Sequence, residues 1–76
     1  MEIQEKVTVG MVNSTPKYVN WRGRNYTITK IGLHHFYKKG TTLYHVYSVI
    51  SETLFMRLKL DTSILSWNLE EISDVV

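Results

Sequence analysis

Cysteine is absent from the 76 residues, so no disulfide staples the fold and no thiolate is available to zinc. That absence fits a reducing compartment, and the expected location is the cytoplasm. Proline occurs only at Pro16, so the chain has few obligatory breaks. No apolar run approaches the ~20 residues of a membrane-spanning helix, and no membrane partner is expected. The opening MEIQEKVTVG has neither the charged start nor the long apolar stretch of a signal peptide. Helical periodicity of ordinary length and βαβ spacing are both missing. So are a Gly-x-Ser-x-Gly elbow and a phosphate-cradling glycine loop. The carboxylates cluster at the two ends of the chain rather than in pairs within one strand. Ser48 can be placed beside His45 or His34, but nothing orients such a pair. The chain is therefore expected to be a non-enzyme with no catalytic residue and no cofactor.

What is present is alternation. The stretch Leu43 to Leu60 reads LYHVYSVISETLFMRLKL. Two runs rich in β-branched, aromatic and Leu residues flank the polar break Ser51-Glu52-Thr53, the pattern of a central antiparallel hairpin. Leu54, Met56, Leu58 and Leu60 take one face of the second run; Phe55, Arg57 and Lys59 take the other. Upstream, Ile3 to Val12 reads as a first strand, lying at an edge or starting late because Glu5 interrupts its apolar parity. Asn13 to Pro16 reads as a loop, and Lys17 to Trp21 as a second strand. Arg22-Gly23 makes a tight turn in which glycine supplies a positive φ.

The run Asn25 to Phe36 changes parity, with Tyr26 and Ile28 on one face and Ile31 and Leu33 on the other. Gly32 within it predicts a bulge or barrel corner between Lys30 and Gly32. Turns follow at Lys38 to Thr41 and at Asp61 to Ser63. Leu65, Trp67 and Leu69 alternate in a last strand, and Glu70 to Val76 reads as a helical turn or loose tail. The expected fold is all-β: one domain over residues 1–76, loose at 1–5 and 71–76. Five to six strands form an antiparallel meander curled into a half-open SH3-like or OB-like barrel. The expected core is Val7, Val9, Val19, Trp21, Ile28, Ile31, Leu33, Val46, Val49, Leu54, Met56, Leu58, Leu60, Leu65, Trp67 and Leu69.

Pro16, Trp21, Gly23 and Tyr26 set out a Trp-x-Gly-x-x-Tyr hairpin. The aromatic and basic segment Leu43 to Val49 follows, and the Trp67-x-Leu69 strand closes with Glu70 and Glu71 nearby. In this order the chain resembles a group of small bacterial all-β domains that have no assigned activity. The match spans roughly residues 16–74. The resemblance implies a small β domain and supplies no site.

Charge is distributed unevenly behind a net of +2. Residues 1–16 carry Glu2, Glu5 and Lys6, a net of −1. Residues 17–59 carry eight Lys or Arg against Glu52, a net of +7. Residues 60–76 carry Asp61, Glu70, Glu71 and Asp74, a net of −4. This asymmetry points to an anionic partner, or to a tail folded back as an internal counterion. Arg22, Arg24, Lys38, Lys39, Arg57 and Lys59, with Tyr47 and Phe55 among them, are the candidate nucleic-acid contacts. Cations displace the counterions of phosphates and aromatic rings stack unpaired bases.

The alternative is a protein-interaction or homo-oligomeric assembly module, with Ile3 to Val12 as the pairing edge. A hairpin turn at Lys38 to Thr41 places His34 opposite His45 and Phe36 opposite Leu43. Two imidazoles on one face come within reach of a shared metal ion, with Asp61, Glu52 or His35 as the third ligand that zinc needs. Their other reading is two half-buried rings packed among aromatics.

Overall fold

The computed structural model describes residues 1–75, and every regular element among them is a strand. β1 spans Glu2–Val12, β2 Thr15–Trp21, β3 Arg24–Thr27, β4 Lys30–Lys39, β5 Thr42–Ser51, β6 Leu54–Asp61 and β7 Ser66–Asp74. They form one antiparallel sheet in the order β3-β2-β1-β7-β6-β5-β4. The all-β antiparallel expectation is met. The strands number seven rather than five to six, and the sheet stays open, because its edge strands β3 and β4 do not pair with each other.

The extra strand comes from the parity change in Asn25 to Phe36. The chain there leaves the sheet at Thr27 and re-enters at Lys30 on the opposite edge, and the expected bulge follows as a register shift between Ile31 and Leu33. Ile28 and Thr29 alone make that passage. From Thr27 to Lys30 the backbone reaches at most about 11 Å. Seven strands laid flat at about 4.8 Å spacing would set the two edges roughly 29 Å apart. The sheet must therefore curl until the edges meet at this end. Hydrogen bonds hold the meeting point: Ile28 N donates to Lys17 O at 2.9 Å on β2, and Thr29 N to Ile50 O at 2.8 Å on β5. β3 ends after four residues while β4 runs for ten, so the distal half of β4 has no neighbour across the gap.

β1 is the hinge of the curl. Its first half, Glu2 to Val7, pairs with β7, and its second half, Thr8 to Val12, pairs with β2. It is thus an interior strand, not the edge that Glu5 suggested, and the chain start expected to be loose is tied into the sheet. Met1 N donates to Ile72 O at 2.8 Å. The other end is ordered too: β7 runs on to Asp74 in place of a helical turn or tail, and Val75 N donates to Thr53 O. Val76 lies outside the described residues.

The turns follow from left-handed backbone at a few positions. Asn13 (φ 51) and Ser14 (φ 63) reverse β1 into β2, and Arg22 (φ 54) and Gly23 (φ 77) reverse β2 into β3. Two positive φ values in a two-residue link match the twist of the flanking strands. The loop expected over Asn13 to Pro16 is only Asn13-Ser14. Pro16 is a buried strand residue, tolerated because it faces Met11 at the register shift where the ladder is already broken.

The core lines the inner face of the curl. Val19, Val49, Met56, Leu58 and Leu69 are fully buried, with Tyr47 and Ile72 beside them. Val7, Val9, Trp21, Ile28, Ile31, Leu54 and Trp67 pack against this cluster partly buried, as do Ile3 and Tyr26. Val46 is buried outside it, and Leu60 is half-buried. Two expected core residues are exposed instead. Leu33 is 57% exposed, because the Gly32 bulge flips it to the outer face. Leu65 is 76% exposed, because it sits in the β6–β7 turn with φ 53 instead of in the last strand. Ile72 gains its inward place from a bulge in β7: Leu58 faces Leu69 while Arg57 faces Glu71, which leaves Glu70 as the extra residue.

Candidate binding surfaces

Arg57 and Lys59 stand on the outer face of β6, beside β7. The β7 bulge sets Glu70 and Glu71 side by side against Arg57, whose Nη1 donates to Glu71 Oε1 at 2.7 Å and whose Nε donates to Glu70 Oε1 at 3.4 Å. Glu2 lies 3.8 Å from the same guanidinium. Lys59 Nζ stands 3.3 Å from Glu70 Oε2 and over the Tyr44 ring. The acidic end of the chain has folded onto the basic strand as its counterion, and the acids engage Arg57 and Lys59 here. Phe55 shares this face, opposite Ile50 and Ser73. Tyr47 does not: it is nearly buried on the inner face, where burial raises its phenol pKa above the ordinary value.

Arg22 is also engaged. Its Nη2 donates to Glu5 Oε2 at 2.6 Å, and its guanidinium lies over the Trp21 ring. Trp21 Nε1 donates to Glu5 Oε1 at 2.8 Å. The Arg22 hydrogen bond first, then that of Trp21, holds the Glu5 carboxyl below the usual carboxylate range. Glu5 therefore breaks the apolar parity of β1 because it serves the indole and guanidinium at the end of β2. That tie was missed in the sequence, where the only signal was one acid out of step with an otherwise apolar face. Arg24 stands at the same turn, over the Tyr26 ring. Of the eight candidate contacts, Arg22 and Arg24 lie at one hairpin tip, Arg57, Lys59 and Phe55 on β6, Lys38 and Lys39 at the end of β4, and Tyr47 on β5.

The distal β4–β5 hairpin carries the least engaged surface. Among the described residues Lys38 and Lys39 have no carboxylate partner. Tyr37 and Tyr44 stack with ring centres 5.2 Å apart beside them. Leu33, Phe36 and Tyr37 are 57%, 68% and 40% exposed. β5 is the one strand with which β4 pairs, so the outer edge of β4 offers its backbone groups to solvent. The opposite edge, β3, is only Arg24-Asn25-Tyr26-Thr27.

The hairpin register differs by two residues from the one expected. His34 faces Tyr47, Phe36 faces His45 and Lys38 faces Leu43. Parity is unchanged, so His34 and His45 are diagonal neighbours on the inner side. His34 Nε2 lies 2.7 Å from His45 Nδ1, and the His34 ring stacks flat on Tyr47, 4.1 Å between centres and 7° between planes. Desolvation, then His45 and His35, lowers the His34 pKa below the ordinary imidazole value. Asp61, Glu52 and His35 do not join the pair: no group of three His, Cys, Asp or Glu is close enough to hold one ion among the described residues.

A shallow groove opens where β1 leaves β7, walled by Val7, Val9, Ile64, Leu65 and Trp67; Lys6 is the one ionisable side chain lining it. No helix of the described residues is long and apolar enough to cross a membrane. Compared with protein-family profiles, with curated proteins and with solved structures, the chain matches none.

Proposed function

We propose that this chain is a non-catalytic binding module, and that it works by pairing the outer edge of β4 with another extended strand, in the first place that of a second copy. The supporting observation is the uncharged segment Leu33-His34-His35-Phe36-Tyr37 on an unpaired edge, with all five residues exposed to solvent. Sheet edges in monomers are ordinarily blunted by shortness, charge or proline. β3 is blunted in this way and the middle of β4 is not. The segment also complements itself. Antiparallel pairing about His35 sets Leu33 opposite Tyr37 of the second copy on one face and His34 opposite Phe36 on the other. Lys38 then meets Gly32 and Lys39 meets Ile31, so no lysine opposes a lysine.

Complete covering of Phe36 and Leu33 in both copies would yield at most roughly 10 kcal/mol at about 25 cal/mol per Å². Association costs about 4–15 kcal/mol, so the dimer is weak and concentration-dependent. Sedimentation velocity across a concentration series should show a monomer–dimer equilibrium that Phe36→Lys and Leu33→Lys each shift to monomer. A single monomeric species at millimolar concentration overturns the reading. The resemblance to small bacterial β domains fits such a module and adds no activity to it.

A second reading, contact with nucleic acid, draws on Lys38 and Lys39 beside the Tyr37–Tyr44 stack. Counterion release of about 0.7 per phosphate on single strands gives two lysines a shallow salt dependence, a slope of roughly −1.4. Anisotropy of labelled oligonucleotides at low salt tests it. The reading requires binding that weakens in a Lys38→Glu, Lys39→Glu variant, and it fails if no binding is seen.

A further inference from the structure

We propose that His34 and His45 form a chelating site for a tetragonal divalent transition-metal ion, copper(II) above all. Both side chains are half-exposed or exposed on the inner side of the distal hairpin, so the site is open to solvent. The facing nitrogens, His34 Nε2 and His45 Nδ1, stand 2.7 Å apart. With metal–nitrogen bonds of about 2.0 Å, two ligands at right angles lie about 2.8 Å apart, whereas two tetrahedral ligands lie about 3.3 Å apart. The two nitrogens are thus within reach of one ion once the rings turn, and a site with only two protein ligands suits the tetragonal copper(II) or nickel(II), which fills its other positions with water, better than zinc, which ordinarily takes three or four protein ligands.

Neighbouring rings hold the donors ready. Tyr47 stacks flat on His34, and Phe36 lies tilted against His45 with centres 5.8 Å apart. Tyr47 is itself fixed against Trp67. In the free chain one imidazole N–H donates to the other ring. When the ion enters, the rings turn until both lone pairs converge on it, and the bridging proton passes through water to the far nitrogen of its own ring. The pair remains neutral and no proton is lost overall. Among the described residues no third His, Asp or Glu completes the set, so the remaining positions belong to water or to a small donor ligand. Copper(II) heads the divalent series for any nitrogen site, and so the ratio of nickel to zinc affinity reports the right-angle geometry more sharply than copper alone.

The test uses untagged full-length protein at low micromolar concentration, where β4 pairing plays no part, titrated with copper(II) chloride in a non-coordinating buffer. Electron paramagnetic resonance should show an axial spectrum coupled to two imidazole nitrogens. His34→Ala or His45→Ala should leave one coupling and weaken binding roughly 100-fold, the loss of a second ligand already held in place. His35→Ala, on the opposite face of β4, should bind as the parent does. Circular dichroism of each variant establishes that the sheet is intact; should a variant lose it, the coupling count of the parent and the His35→Ala titration decide alone. Nickel should bind more tightly than zinc. Copper binding that survives both substitutions, that falls equally in His35→Ala, or that shows one nitrogen in the parent overturns the assignment.

Discussion

Replacing Leu58 by alanine tests whether the curled sheet is held from its inner face. Leu58 is fully buried, on β6, facing Tyr47 on β5 and Leu69 on β7. The substitution removes three carbons, about 2.4 kcal/mol of transfer free energy at about 0.8 kcal/mol each. The cavity left between strands that cannot close on it brings the loss to about 3–5 kcal/mol. A chain of this length is stable by roughly 4–11 kcal/mol in total, so the variant sits near the edge of folding. In a domain this small each kcal/mol moves Tm by about 4–8 °C, which places the fall at 12 °C or more. Urea and thermal unfolding followed by circular dichroism and by Trp21 and Trp67 fluorescence measure it. Leu65→Ala is the control. That side chain is 76% exposed, and its truncation should change stability by less than about 0.5 kcal/mol. A Leu58→Ala loss below about 1 kcal/mol, or an equal loss at Leu65, would refute the placement of the core.

Other outcomes follow from the same geometry. Leu65→Gly should raise stability by about 1 kcal/mol, since glycine adopts the φ of 53 found there without strain; calorimetry reads it. Arg57→Ala should cost about 1–2 kcal/mol by leaving Glu70 and Glu71 facing each other, with the loss shrinking in high salt. Glu5 stabilises the fold as an anion with a lowered pKa. Its contribution is complete above the ordinary glutamate pKa and is lost as pH falls through the lowered folded value, so Glu5→Gln should flatten the acid side of the stability–pH curve. Gly10→Ala brings a methyl group into the Tyr18 ring that lies across Gly10. It should swing that ring outward for about 1 kcal/mol, and near-ultraviolet circular dichroism detects the change.

The central hairpin was legible because its two faces differ in chemistry: Leu54, Met56 and Leu58 alternate with Phe55, Arg57 and Lys59, and a ladder turns that rhythm directly into an inside and an outside. Rhythm alone does not show where it slips. Bulges at Gly32 and Glu70 each add one residue, which moved Leu33 out of the core and Ile72 into it. Nor does alternation reveal which strands are neighbours. Nothing in Ile28-Thr29 itself says that two residues carry the chain from one sheet edge to the other and leave β4 an edge, and nothing in β1 says that it pairs with β7 as well as β2. The acidic end was readable as a possible counterion, and it is one, because the β7 bulge holds both glutamates against Arg57. The meeting of His34 and His45 survived an error of two in the hairpin register, since a shift of two preserves the face and leaves diagonal neighbours within reach of their rings.

Amide hydrogen exchange across β4, at dilute and at millimolar protein, tests the pairing edge most directly. Strand pairing predicts that protection over Leu33 to Tyr37 rises with concentration in the parent and not in Phe36→Lys, while β6 exchanges at the same slow rate throughout. Exchange over that segment that is equally fast at both concentrations would contradict it.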